Sequence, residues 1–126
     1  MQLSERLKPV IADLLSRNSV TRSSLRGGAF CAGVERPPDG EPWVQVKTGV
    51  MNVFYPSNEE PLTKLQGLVA LPSGTHCPAW EPWKYATLEF APLDAEATAE
   101  LVERLFVSFY DFPADTEVTT EILDMR

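Results

Sequence analysis

His76 and Cys77 are the one place where neighbouring residue types could carry nucleophilic chemistry. A Cys–His catalytic pair needs the imidazole within reach of the sulfur and a third group to orient the ring. Side chains of adjacent residues in an extended backbone point apart, so the two do not pair by position alone. Cys31 lies 46 positions earlier and would have to reach His76 through the fold. A small thiol-dependent enzyme using Cys77 and His76 is therefore the enzymatic alternative. A zinc site would take about four ligands at suitable spacing. His76, Cys77 and Cys31 do not supply the usual ligand pairs, and the residues imply no metal and no cofactor. The other candidate chemistry is aromatic. Trp43, Trp80 and Trp83, with the adjoining Tyr85, could form a partner-binding surface, because aromatic rings with a polar tip suit both burial and recognition. The same residues could instead clamp the proline-rich stretch 72–82 onto a sheet.

The elements that must position these residues follow from periodicity. Lys84 to Phe90 alternates, with Ala86, Leu88 and Phe90 on one side, as a strand does. A short Ala91-Pro92-Leu93 connection leads to the strongest helix signal, residues 94–111. Asp94 is a suitable N-cap and Glu96 lies in the first turn, where the helix dipole favours an acid. Pro113 stops the pattern. Leu101, Val102, Leu105, Phe106, Phe109 and Tyr110 spread over roughly 180° of this helix, wider than the stripe of about 100° that one sheet contact uses. Either the sheet curls around the helix, or Leu101, Phe106 and Tyr110 meet a second copy in a homodimer. An unpaired sheet edge is the alternative dimer surface. Val107 falls on the acidic, exposed side with Glu100 and Glu103.

Residues 2–17 show helical spacing of Leu3, Leu7, Val10, Ile11, Leu14 and Leu15. Pro9 interrupts it, so the helix is either kinked there or begins near Lys8. Thr21 to Gly28 is polar; its Arg22, Arg26 and glycines lack the strand-before, helix-after order of a phosphate loop, so it is a connection. Ala29–Glu35, Trp43–Lys47 and Val50–Tyr55 alternate as strands joined by short polar links, an antiparallel meander. Leu62, Leu65, Leu68 and Val69 fit a short helix. Pro72 to Pro82 is irregular, with three prolines, and is expected as a loop, a common place for function. Thr116 to Leu123 fits either a strand or a helical face, with its β-branched residues favouring the strand.

The chain has 126 residues, one α+β domain by size, and carries a net charge of −7. The charge is uneven. Residues 1–36 hold six basic and three acidic side chains, while residues 37–126 hold five and fifteen. Acidity repels phosphate backbones, which argues against nucleic acid as the main partner. It could attract a basic segment of a partner polypeptide or serve solubility alone. No apolar run is long enough to span a membrane. The N-terminus lacks a signal-peptide layout, which with two cysteines suggests free thiols and a cytoplasmic protein.

The resulting order is α-β-β-β-α-β-α, with a possible last strand. On the N-terminal helix with Leu7, Ile11 and Leu14, the strands at 42–46 and 51–62, and LVERLFVSFYDFP at 101–113, the chain resembles the type III secretion chaperone superfamily, YbjN-like domains included. The stretch PSGTHCPAWEPW departs from that pattern, and the family's last pair of strands is not visible. The resemblance implies an antiparallel sheet packed against N- and C-terminal helices. It also implies a dimer, binding of an extended segment of a partner polypeptide, and no catalytic residues.

Overall fold

The computed structural model describes the whole chain, Met1–Arg126. The order is α1 (Leu3–Val20), β1 (Phe30–Glu35), β2 (Trp43–Lys47), β3 (Val50–Phe54), α2 (Pro61–Gln66), β4 (His76–Glu81), β5 (Tyr85–Glu89), α3 (Ala95–Arg104, extended by a wider turn over Leu105–Phe109) and β6 (Thr119–Asp124). The strands form one six-stranded sheet in the order β4-β5-β3-β2-β1-β6. Every neighbouring pair is antiparallel. The α+β class and the antiparallel sheet packed against the N-terminal helix and the last helix are as the sequence predicts. No helix is long and apolar enough to cross a membrane.

Strand alternation divides the sheet into two faces. Val34 pairs with Val44, Val44 with Val53 and Val53 with Ala86. Ala32, Val46, Met51 and Leu88 form the next row in the same way. All eight are buried and join Leu3, Leu7, Ile11 and Leu14 of α1 and Leu101, Val102, Leu105 and Phe106 of the last helix in one core. Between β2 and β3 the chain reverses at Thr48-Gly49. Gly49 has φ 71°, and a Cβ there would lie 2.8 Å from the Phe90 carbonyl oxygen, so the turn requires glycine.

Several expectations need correction. The N-terminal helix is continuous from Leu3 in spite of Pro9. Its first turn is held by other parts of the chain: Leu3 N–H donates to the Ala114 carbonyl at 2.7 Å and Ser4 N–H to Glu103 at 3.0 Å. Those bonds satisfy donors that a helix start leaves unpaired. The stretch expected as a loop at 72–82 contains β4. Pro78 is tolerated because β4 is an edge strand and a bulge between His76 and Ala79 takes it out of the ladder. The final segment is a strand, as its β-branched residues favour.

The wide apolar arc of the last helix is covered by the chain itself. Leu101 and Phe106 are both 0% exposed, so neither is available as a dimer contact. The helix widens after Arg104, where Tyr110 N–H reaches back five residues to the Leu105 carbonyl at 2.9 Å. This π-type turn rotates Phe109 and Tyr110 inward. Phe109 stacks on Tyr55, with ring centroids 5.7 Å apart. Half-buried Tyr110 packs on Phe106 and donates its hydroxyl hydrogen to the Phe54 carbonyl at 2.5 Å. Of the three residues expected at a dimer contact, Leu101 and Phe106 thus lie in the interior, and Tyr110 is half-buried at its margin. Val107 is exposed, as its acidic neighbours suggest.

Candidate functional site

The face of the sheet turned away from the helices carries the side chains that alternate with the core residues. β-pairing aligns Glu35 with Trp43 and Phe54 with Tyr85. The β2–β3 register continues to place Trp43 beside Phe54, with ring centroids 6.3 Å apart. Trp43, Phe54 and Tyr85 therefore form an aromatic row across three adjacent strands. The next row is polar: Gln45 pairs with Asn52 and Asn52 with Thr87. Thr87 donates its hydroxyl hydrogen to the Asn52 side-chain oxygen at 2.6 Å. These residues are all half-buried, so each presents part of its surface to solvent. Trp43, Gln45, Asn52, Lys84 and Tyr85 line an open concavity of about 350 Å³.

The two ends of this face differ. At the β2–β3 turn the 21–29 connection folds over it. A Cβ on Gly27 would lie 2.8 Å from the Lys47 Cβ, and Thr48 N–H donates to the Gly27 carbonyl. Arg26 and His76 close on the Glu89 carboxylate, at 2.5 Å and 2.8 Å. Burial pushes the Glu89 carboxyl up, but its bonds to Arg26 and then His76 outweigh this and hold it below the usual carboxylate value. Arg26 is committed to an internal ion pair rather than to an anion site. At the other end the aromatic row stays open.

The predicted site residues separate accordingly. Trp43 and Tyr85 stand together on the outer face. Trp80 pairs with Ala86, a core residue, and so faces the helix side, where it meets Tyr55 edge-on at 5.9 Å. It clamps β4, as the alternative had it. Trp83 sits in the β4–β5 turn and is 63% exposed, with φ 66°. A bulky residue in the left-handed region is an outlier, and such strain collects at functional positions. Phe54 is the member that sequence reasoning missed. Its signal was the alternation of β3, in which Phe54 opposes Val53 and shares a side with Asn52.

The thiols are not arranged for catalysis. The His76 ring engages Glu89, and the Cys77 thiol turns to the Ala79 carbonyl at 3.4 Å. Burial pushes both the Cys31 and the Cys77 thiol above the ordinary value, which lowers the thiolate fraction at neutral pH. Both cysteines are free. No three His, Cys, Asp or Glu side chains come together as a metal-binding group. The largest concavity, about 570 Å³ along α2, has Leu68 as its one apolar lining residue, and its Lys64 is already paired with Glu59 at 2.8 Å.

No family model, curated protein or solved structure matches this chain.

Proposed function

We propose that this protein is a chaperone-like binding module of the cytoplasm that holds an extended segment of a partner polypeptide on the outer face of its sheet. The observation that carries this is the open row Trp43–Phe54–Tyr85, backed by Gln45, Asn52 and Thr87. Flat aromatic rings beside side-chain amides suit a polypeptide: the rings cover apolar side chains at low conformational cost, and the amides pair with main-chain groups. Lys84 lines the same shelf, and exposed Trp83 precedes it in the β4–β5 turn. The geometry at His76 and Cys77 favours binding over thiol chemistry.

Selection from a library of displayed peptides tests this proposal. The wild-type protein is expected to enrich segments that the Trp43→Ala/Tyr85→Ala variant does not retain. No enrichment, or equal enrichment by the variant, would overturn it.

A further inference from the structure

The two edges of the sheet are built differently. On β4, Pro78 removes a donor and the bulge breaks the ladder. These are devices that keep an edge from pairing. β6 has neither a proline nor a bulge. Its six residues pair with β1 without interruption, from Phe30–Asp124 to Glu35–Thr119.

The direction of the free backbone groups follows from one bond. Met125 N–H donates to the Ala29 carbonyl at 2.8 Å. In an antiparallel ladder, residues bonded to the neighbour alternate with residues that turn their groups the other way. Residues 125, 123, 121 and 119 therefore face β1. Thr120, Ile122 and Asp124 turn their N–H and C=O groups outward, to the open edge.

The charge around this edge states what would cover it. Residues 115–126 contain four acids, Asp115, Glu117, Glu121 and Asp124, against Arg126 in the segment and Arg6 and Arg36 docked at its start, and on β6 itself Glu121 has no basic partner. Arg126 is spent on Asp124 at 2.8 Å. The strand is also anchored. Arg36 donates to the Thr116 hydroxyl at 2.8 Å and to the Glu117 carbonyl at 3.3 Å, and Arg6 to the Thr116 carbonyl. A second copy would double the acid excess along this edge, whereas a basic segment would neutralise it.

We propose that β6 is a strand-addition site that pairs with a basic, extended segment of a partner polypeptide through the outward groups of Thr120, Ile122 and Asp124. This rests on the reading of the protein as a polypeptide-binding module and adds a second contact, with its own chemistry, beyond the aromatic shelf.

The test uses the full chain and a short synthetic peptide alternating lysine and valine, with a glutamate–valine peptide for comparison. Amide hydrogen exchange followed by NMR should show new protection at Thr120, Ile122 and Asp124. Glu121 and Leu123 should change little, since β1 already covers them. Thr120→Pro removes an outward N–H and no bond to β1, and it should weaken binding by at least about tenfold. Glu121→Lys should weaken it too, with the folded spectrum retained. Protection of the odd-numbered residues alone, none at all, or equal binding of the glutamate peptide would overturn the inference. So would slow outward amides in the free protein together with a doubled mass by light scattering, because a second copy would then hold the edge. A peptide that shifts the Trp43 indole signal and leaves the edge amides unchanged would refute the edge and spare the shelf. Edge protection without a Trp43 shift would support the edge as a contact separate from the shelf.

Discussion

The two faces of this sheet are made by the same strands, residue by residue in alternation, yet they are built for different ends. The helix side is a row-by-row match of Val34, Val44, Val53 and Ala86, sealed by Leu101, Leu105 and Phe106. The outer side sets Trp43, Phe54 and Tyr85 beside Gln45, Asn52 and Thr87, all half-buried. An antiparallel sheet with one solvated face ordinarily shows polar residues there. Three aromatic rings in one row exceed what solubility asks for. The comparison teaches that large apolar side chains are informative by face rather than by number: Phe106 and Trp43 look alike in sequence, but one is sealed in the core and the other is half-exposed on the outer face.

Substitution on the helix side gives the largest effect. Phe106→Ala should destabilise the protein by roughly 3–5 kcal/mol in chemical denaturation, since it empties a fully buried aromatic site. Trp43→Ala should lower stability by only about 1 kcal/mol while abolishing retention of selected peptides. Comparable losses at the two positions would break the distinction between the faces.

Trp83 sharpens the comparison by separating stability from binding. Glycine adopts φ 66° without penalty, so Trp83→Gly should raise stability by about 1 kcal/mol in the same assay. It should weaken peptide binding, because the exposed ring is lost. A destabilised variant with undiminished binding would mean that the ring serves the turn and not the shelf. Thiol titration gives a smaller signal. Cys31 and Cys77 should both react slowly at neutral pH, with rates rising only toward alkaline pH. A fast thiolate at Cys77 would revive the enzymatic alternative.

The smallest effects are expected in acid. Glu89 and Asp124 both have folded values below their ordinary ones, Asp124 at about 2 against 3.8. A depressed carboxylate contributes stability that is present above its unfolded value and lost as pH falls through its folded value. The end of β6 should therefore lose exchange protection between about pH 4 and 2, as Asp124 releases Arg126. Glu89 should release Arg26 and His76 below about pH 4.5, loosening the 21–29 connection over the covered end of the outer face. Acid-insensitive protection at both places would contradict these roles.

Much of the fold was legible in the sequence, and the reason is local. Alternation in β1, β2, β3 and β5 and the Asp94 cap are short-range signals, and each survives folding. Asp94 accepts from Ala97 N–H at 2.8 Å, as an N-cap does. The failures came from contacts distant in sequence. Pro78 argued against a strand until an edge position and a bulge gave it a place. Pro9 argued for a break until Ala114 and Glu103 held the turn before it. The arc of the last helix looked too wide because a regular period of 100° per residue was assumed, and the π-type turn at Leu105–Phe109 changes that angle. The site was half legible: Trp43 and Tyr85 were identified by type, whereas their meeting, and the inclusion of Phe54, depends on the β2–β3–β5 register. The basic excess of residues 1–36 has an internal use, since Arg6, Arg26 and Arg36 each bind elsewhere in the chain.

The most direct test of the account is the indole N–H spectrum of the three tryptophans during titration with a peptide enriched by the wild-type protein. Trp43 lies on the open shelf, and Trp80 packs against Tyr55 on the helix side. The account predicts that the Trp43 signal moves in proportion to occupancy, that Trp83 follows by a smaller amount, and that Trp80 stays in place. A shift at Trp80 with Trp43 unmoved would contradict it, and would place the partner on the helix side of the sheet.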